Sequence, residues 1–264
     1  MNASFIQQAH GLFAEAWPIL VMIIAVTAVA GFVQGLLGVG YPTIATPLLA
    51  LVMDTRQAAL YTILPIVFLT GRLATKGGKT SEALRRYWFM PVLVAVGVYL
   101  GLKIFLSISA TQLTLALALL MIIYLILDLS GKSNITVLRN NPIPVAAACA
   151  IGAGVTESAV NIGSPFLLLF CLLAGLAPLA IVQVLNWCFF IGKSTQAIGL
   201  FFAGISGPIW LSTLPLVLIA WLPMQYGASI RERSDAARYK TWLRIFIAAM
   251  SVVLLFKALV PSQS

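Results

Sequence analysis

Polar and apolar positions along this chain alternate on the scale of whole helices rather than single turns. Charge-free stretches run over 16–53, 57–71, 87–102, 104–127, 140–156, 158–192, 194–230 and 245–256. A helix rises ~1.5 Å per residue, so about 20 apolar residues cross the hydrocarbon core of a bilayer. Ten hydrophobic segments follow. The first five are 18–36, a short one at 43–53, 57–75, 88–106 and 111–128. A polar linker, 129–142, ends in Asn140-Asn141-Pro142. The pattern then recurs as 143–159, a short one at 165–175, 178–200, 209–229 and 239–259. The second segment of each set is too short to span alone. The expected fold is an all-α integral membrane protein: repeat one over 18–128, repeat two over 143–260, about eight transmembrane helices and two short broken or re-entrant segments.

Residue matches support the duplication. Gly31-Phe32 aligns with Gly152-Ala153, and Phe68 to Arg72 aligns with Phe189 to Lys193, both at an offset of 121. After a slip of two, Gly40-Tyr41-Pro42 matches Gly163-Ser164-Pro165. Proline lacks an N–H and disfavours helix at the preceding residue, so each match marks a break in the middle of an apolar region. Irregular backbone at that depth is tolerated only inside protein or beside a water-filled cavity. The free N–H groups and positive dipole end of the helix that follows suit an anion.

Composition narrows the class. Hydrophobic residues make up 61% of the 264 and charged residues 9%, against about 25% charged in a soluble domain. The net charge of +9 does not point to nucleic acid, because the basic residues gather in short loops. One loop, 72–86, holds Arg72, Lys76, Lys79, Arg85 and Arg86; the other, 231–244, holds Arg231, Arg233, Arg238, Lys240 and Arg244. By the positive-inside rule both are cytoplasmic. They follow the third segment of one half and the fourth of the other, so the halves are expected to be inverted, with both termini periplasmic. Residues 1–17 lack Lys, Arg and a cleavage-like site, and the first segment is read as retained. Trp17, Trp88, Trp210 and Trp242 fall near segment ends as interfacial anchors. Cys149, Cys171 and Cys188 are read as packing residues, and the single histidine, His10, excludes a His-rich metal site. No metal or other cofactor is expected.

Lys193 stands alone between two charge-free runs, where a lysine costs ~2.5–3.5 kcal/mol to insert. With its repeat partner Arg72 it is expected to form an anion site; the alternative for each, and as strong a one for Arg72 beside its basic loop, is a side chain that snorkels to the membrane interface. Glu157, an isolated acid in the second half, is expected to balance that charge or take part in coupling. Gln34, Gly38, Gly40, Thr43, Asn161, Gly163, Ser164 and Asn186 line the breaks or the helices beside them and complete the candidate substrate site. Thr62, Gln183, Ser194 and Gln196 are further polar candidates, each of which is equally a helix–helix hydrogen-bonding group.

The string Gly31-Phe-Val-Gln-Gly-Leu-Leu-Gly-Val-Gly40, followed by Pro47-Leu-Leu, resembles the glycine-rich signature of the TauE/SafE sulfite-exporter family. Tyr41-Pro42 and Ala159-Val-Asn-Ile-Gly163-Ser-Pro depart from the family's pattern. The resemblance implies a multi-pass carrier in the bacterial inner membrane for sulfite, sulfonates or related small anions. It would work by alternating access, with H+ or Na+ as possible coupling ion and a homo-oligomer as a possible assembly. A channel or non-transporting scaffold is the alternative. An intramembrane enzyme is the weakest reading, because the membrane region offers no histidine and almost no acid. No Gly-x-x-x-x-Gly-Lys-Ser/Thr loop is present for ATP.

Overall fold

The computed structural model describes residues 3–53, 55–75, 82–105, 142–204 and 207–259, together with 122 and 126. Apart from 122 and 126, the expected segment at 111–128 falls outside these, as does the linker up to Pro142. Among the described residues the elements are helical throughout: α1 (Ala3–Leu37), α2 (Tyr41–Leu49), α3 (Thr55–Ala74), α4 (Glu82–Arg86) and α5 (Met90–Phe105), then α6 (Pro142–Val160), α7 (Ser164–Leu173), α8 (Pro178–Phe202), α9 (Gly207–Glu232) and α10 (Ala236–Leu259).

Several boundaries differ from the sequence reading. α1 starts fifteen residues earlier than expected, because residues 3–17 contain one glycine and no proline to stop it. α2 starts at Tyr41, with Pro42 inside its first turn, where the missing N–H breaks no helical bond. The basic region 231–244 is mostly helix, since only residues 233–235 separate α9 from α10. α4 likewise occupies part of the other basic region.

Among the described residues, four helices are long and apolar enough to cross a membrane: Trp17–Leu37, Gln57–Ala74, Pro142–Ala159 and Ser212–Glu232. Met90–Lys103 and Ser164–Leu173 are shorter apolar helices. Large side chains on the outer faces, among them Val29, Val92, Leu218 and Leu222, are exposed. A helix surface of that kind is stable only against lipid or another apolar partner.

Two helix pairs form the frame. α1 packs along α9, and α5 packs along α6. Both pairs approach backbone to backbone through glycines. A Cβ on Gly31 would overlap the carbonyl of Ala220, one on Gly35 that of Met224, and one on Gly227 that of Phe32. In the other pair Gly97 meets Ile151, Gly101 meets Val155 and Gly154 meets Val94, each at a main-chain carbonyl. Small residues four apart give such close crossings, which association in lipid favours because it depends on packing rather than on a hydrophobic drive. Gly35 is thus a helical packing residue. α8 is the central helix, lying against α3 and α5 and touching α4, α6, α7 and α10.

The end of α1 is closed from the second half. Arg231 is buried and its guanidinium donates to the carbonyl of Gly35 at 2.6 Å, while the Tyr239 hydroxyl donates to that of Leu37 at 2.7 Å. The last carbonyls of a helix have no partner within it and carry negative partial charge, so a cation there satisfies both needs. Arg231 is therefore a capping residue rather than a free loop cation.

Candidate functional site

α1 and α6 stop in the interior, and the chain restarts as α2 and α7. The restart is built alike in both places. Leu37 and Val160 end the first helices, Gly40 and Gly163 precede the second ones, and Thr55 and Pro178 begin the third ones. Each of these pairs is 123 residues apart. Gly38 and Asn161, separated by the same interval, both take left-handed backbone, with φ of 77° and 60°. Only glycine adopts that region freely; asparagine tolerates it better than most residues.

The first break is stitched by neutral amides. Gln34 Oε1 accepts from the Tyr41 backbone N–H at 3.0 Å, and its Nε2 donates to Asn186 Oδ1 at 3.2 Å. Asn186 Nδ2 donates to the carbonyls of Gly38 at 2.8 Å and Val182 at 2.7 Å. A side chain on α8 thereby holds the carbonyl that the break exposes, as buried backbone groups require.

The second break is stitched by charge. Glu157 Oε2 accepts from the Gly163 backbone N–H at 2.6 Å, and Glu157 Oε1 pairs with Lys193 Nζ at 2.7 Å. Lys193 is fully buried and Glu157 is 1% exposed. The ammonium also donates to Gln196 Oε1 at 2.8 Å and to Asn161 Oδ1. Asn161 Nδ2 reaches into the first half, donating to Thr46 Oγ1 at 2.6 Å and Thr62 Oγ1 at 2.9 Å.

The two short helices meet at their N-terminal ends. Thr43, in the first turn of α2, and Ser164, the first residue of α7, bring their hydroxyls to 3.3 Å, both side chains buried. Two positive dipole ends and two hydroxyls face one another there, a combination that favours negative charge.

The structure thus gathers Gln34, Gly38, Gly40, Thr43, Asn186, Asn161, Gly163, Ser164, Glu157 and Lys193 around the breaks. Arg72 is not among them. It is exposed beside Leu64, Phe68, Phe190 and Leu218 on a surface cavity of about 610 Å³, so the expected convergence of two cations is not realised. The physical reason is helix rotation. Carrying the 123-residue interval into α3 and α8 matches Lys193 with Thr70, which is buried, whereas the 121-residue interval selected Arg72. Two residues turn a helix by about 200°, from inside to outside. Thr46 was not anticipated, although it lies three residues after Thr43, the spacing that places two residues on one helix face.

A family model described as Sulfite exporter TauE/SafE matches residues 23–254, which include both breaks and every residue of the two networks. No curated protein and no solved structure matches the chain. The chain belongs to the TauE/SafE sulfite exporter family, and is a multi-pass membrane protein of a transporter family.

Proposed function

We propose that this family member is a secondary carrier that moves sulfite or a related small anion outward across the bacterial inner membrane by alternating access. The observation that carries the reading is the meeting of the α2 and α7 N-terminal ends at Thr43 and Ser164. A small oxyanion held there would receive hydroxyl donors and backbone N–H groups without needing a free cation. The assigned substrate contacts are Thr43, Ser164 and Gly40, with Gly163, whose N–H is held by Glu157, and Gln34, Gly38, Asn186 and Asn161 shaping the backbone that presents them. Glu157 and Lys193 keep the second break neutral overall.

Inverted repeats over 18–128 and 143–260 supply the moving parts of this reading. Its support is the exchange of partners: α1 of the first half lies along α9 of the second, and α5 of the first along α6 of the second. Such reciprocal pairing is what halves related by a pseudo-twofold axis produce. With Asn161 bridging α2, α3 and α8, a change at one break is felt at the other. H+ or Na+ remains the candidate driving ion.

Counterflow in proteoliposomes tests the carrier reading. Vesicles loaded with unlabelled sulfite should transiently concentrate external radiolabelled sulfite, with an initial rate that saturates. Uptake that only equilibrates and rises linearly with concentration would overturn it in favour of a channel.

A further inference from the structure

The three oxygens around Lys193 Nζ come from three places in the chain. Glu157 Oε1 at 2.7 Å comes from α6, Asn161 Oδ1 from the break, and Gln196 Oε1 at 2.8 Å from α8. An ammonium has three N–H groups and no acceptor, so one oxygen is available for each. This is a carboxylate and two amide oxygens converging on one point, in a region where Lys193 is 0% exposed and Glu157 1%.

The orientation of both amides is enforced from behind. Gln196 Nε2 donates to the carbonyl of Ser158 at 3.4 Å, and a carbonyl accepts only. The other end of that amide, its oxygen, must then face Lys193. Asn161 Nδ2 is spent on the hydroxyls of Thr46 and Thr62, and the Thr62 hydroxyl itself donates to the carbonyl of Ala59 at 2.6 Å. Its hydrogen being used, Thr62 Oγ1 accepts from Asn161. The oxygens are thus aimed inward whether or not a lysine is there to receive them. Carboxylate and carbonyl oxygens are also the ligands that hard cations take.

We propose that these oxygens form a monovalent-cation site which the chain fills with its own lysine, so that Lys193 acts as a tethered cation rather than as a substrate ligand. The site requires a positive charge at Nζ and not a lysine as such. It follows that this position takes no Na+ or K+ in the natural chain, and that removing the side chain opens it to a small free cation. The inference goes beyond the transport reading and does not depend on what the anion site binds.

Thermal melting of the purified full-length protein in detergent tests it, in chloride salts of Na+, K+, methylammonium or the bulky N-methylglucamine. The unaltered protein should melt alike in all four. Lys193→Ala should melt several degrees higher in at least one of the three small cations than in N-methylglucamine, with a concentration dependence that saturates. Adding Glu157→Gln to Lys193→Ala should abolish that gain, since the carboxylate is the charged ligand. The proposal is overturned if Lys193→Ala shows no small-cation gain. Identical melting in all salts and failure of every salt to yield monodisperse protein both count as that result. It is also overturned if the gain survives Glu157→Gln. Sulfite counterflow enters neither result, so the two readings fail separately.

Discussion

Gln34 and Glu157 are the same device in a neutral and a charged form. They lie 123 residues apart, three residues before the last residue of α1 and of α6. Each accepts a hydrogen bond from a backbone N–H where the chain restarts, Gln34 from Tyr41 at the start of α2 at 3.0 Å and Glu157 from Gly163 just before α7 at 2.6 Å. The carboxylate brings a charge that the amide does not, and Lys193 answers it.

That pairing predicts a steep, non-additive mutational pattern. Glu157→Gln alone leaves Lys193 buried without its counter-charge, and Lys193→Gln alone leaves Glu157. Removing one partner of a buried pair costs ~3–5 kcal/mol. The double change should recover most of that loss, as the all-amide first break shows such a network to be workable. Melting temperatures of the four proteins close the cycle; an additive double variant would refute a dominant pair.

At the meeting of α2 and α7, Thr43→Val and Ser164→Ala each remove a hydroxyl while keeping shape. Either should weaken sulfite binding by about tenfold, or ~1.4 kcal/mol, with little effect on the amount of inserted protein. Binding to the purified variants, measured calorimetrically, checks this; unchanged affinity in both would move the anion site elsewhere.

Gly40 and Gly163 should both resist substitution, for different reasons. Gly40 has φ of 119°, and a Cβ would lie 2.9 Å from the Phe246 ring. Gly163 has ordinary φ of −103°, but a Cβ there would lie 2.6 Å from the Ala153 carbonyl and 2.7 Å from Glu157 Oε2. Gly40→Leu and Gly163→Leu should abolish counterflow in inserted protein. Adding Phe246→Ala should not restore Gly40→Leu, because the backbone cost of roughly 1–2 kcal/mol persists. Normal flux by either single variant would count against an essential break.

Glycines in the helix crossings predict the largest stability losses outside the charged pair. Gly35→Leu and Gly101→Leu place side chains where the partner helix has backbone, and overpacking typically costs 1–3 kcal/mol or more. Gly175→Asn should be near neutral, since nothing lies within 4 Å of its added Cβ and asparagine tolerates its φ of 65°. Comparable melting of all three would show that the close crossings carry little.

Orientation is checked by single-cysteine labelling in a background lacking Cys149, Cys171 and Cys188. A cysteine at position 236, exposed at the start of α10, should react with an impermeant maleimide only after the cytoplasmic face is opened. Position 79 should behave the same way. Labelling of either in intact cells would overturn the inverted arrangement.

Much of this architecture was legible in the chain itself. Long charge-free runs declare a membrane protein because their length and polarity are local properties that a bilayer reads directly. The Gly-Tyr-Pro and Gly-Ser-Pro breaks were equally plain, since glycine and proline act on the backbone they belong to. An isolated Lys193 and an isolated Glu157 announced each other by their cost. The tertiary structure decided what depends on helix rotation and partner choice. It turned Arg72 outward, matched Lys193 with buried Thr70, brought Arg231 from a presumed loop onto the end of α1, and placed Asn161 between Lys193 and two threonines of the other half. A slip of two residues leaves apolar patterning almost unchanged yet turns a helix by about 200°. Only packing against neighbours settles which side faces in.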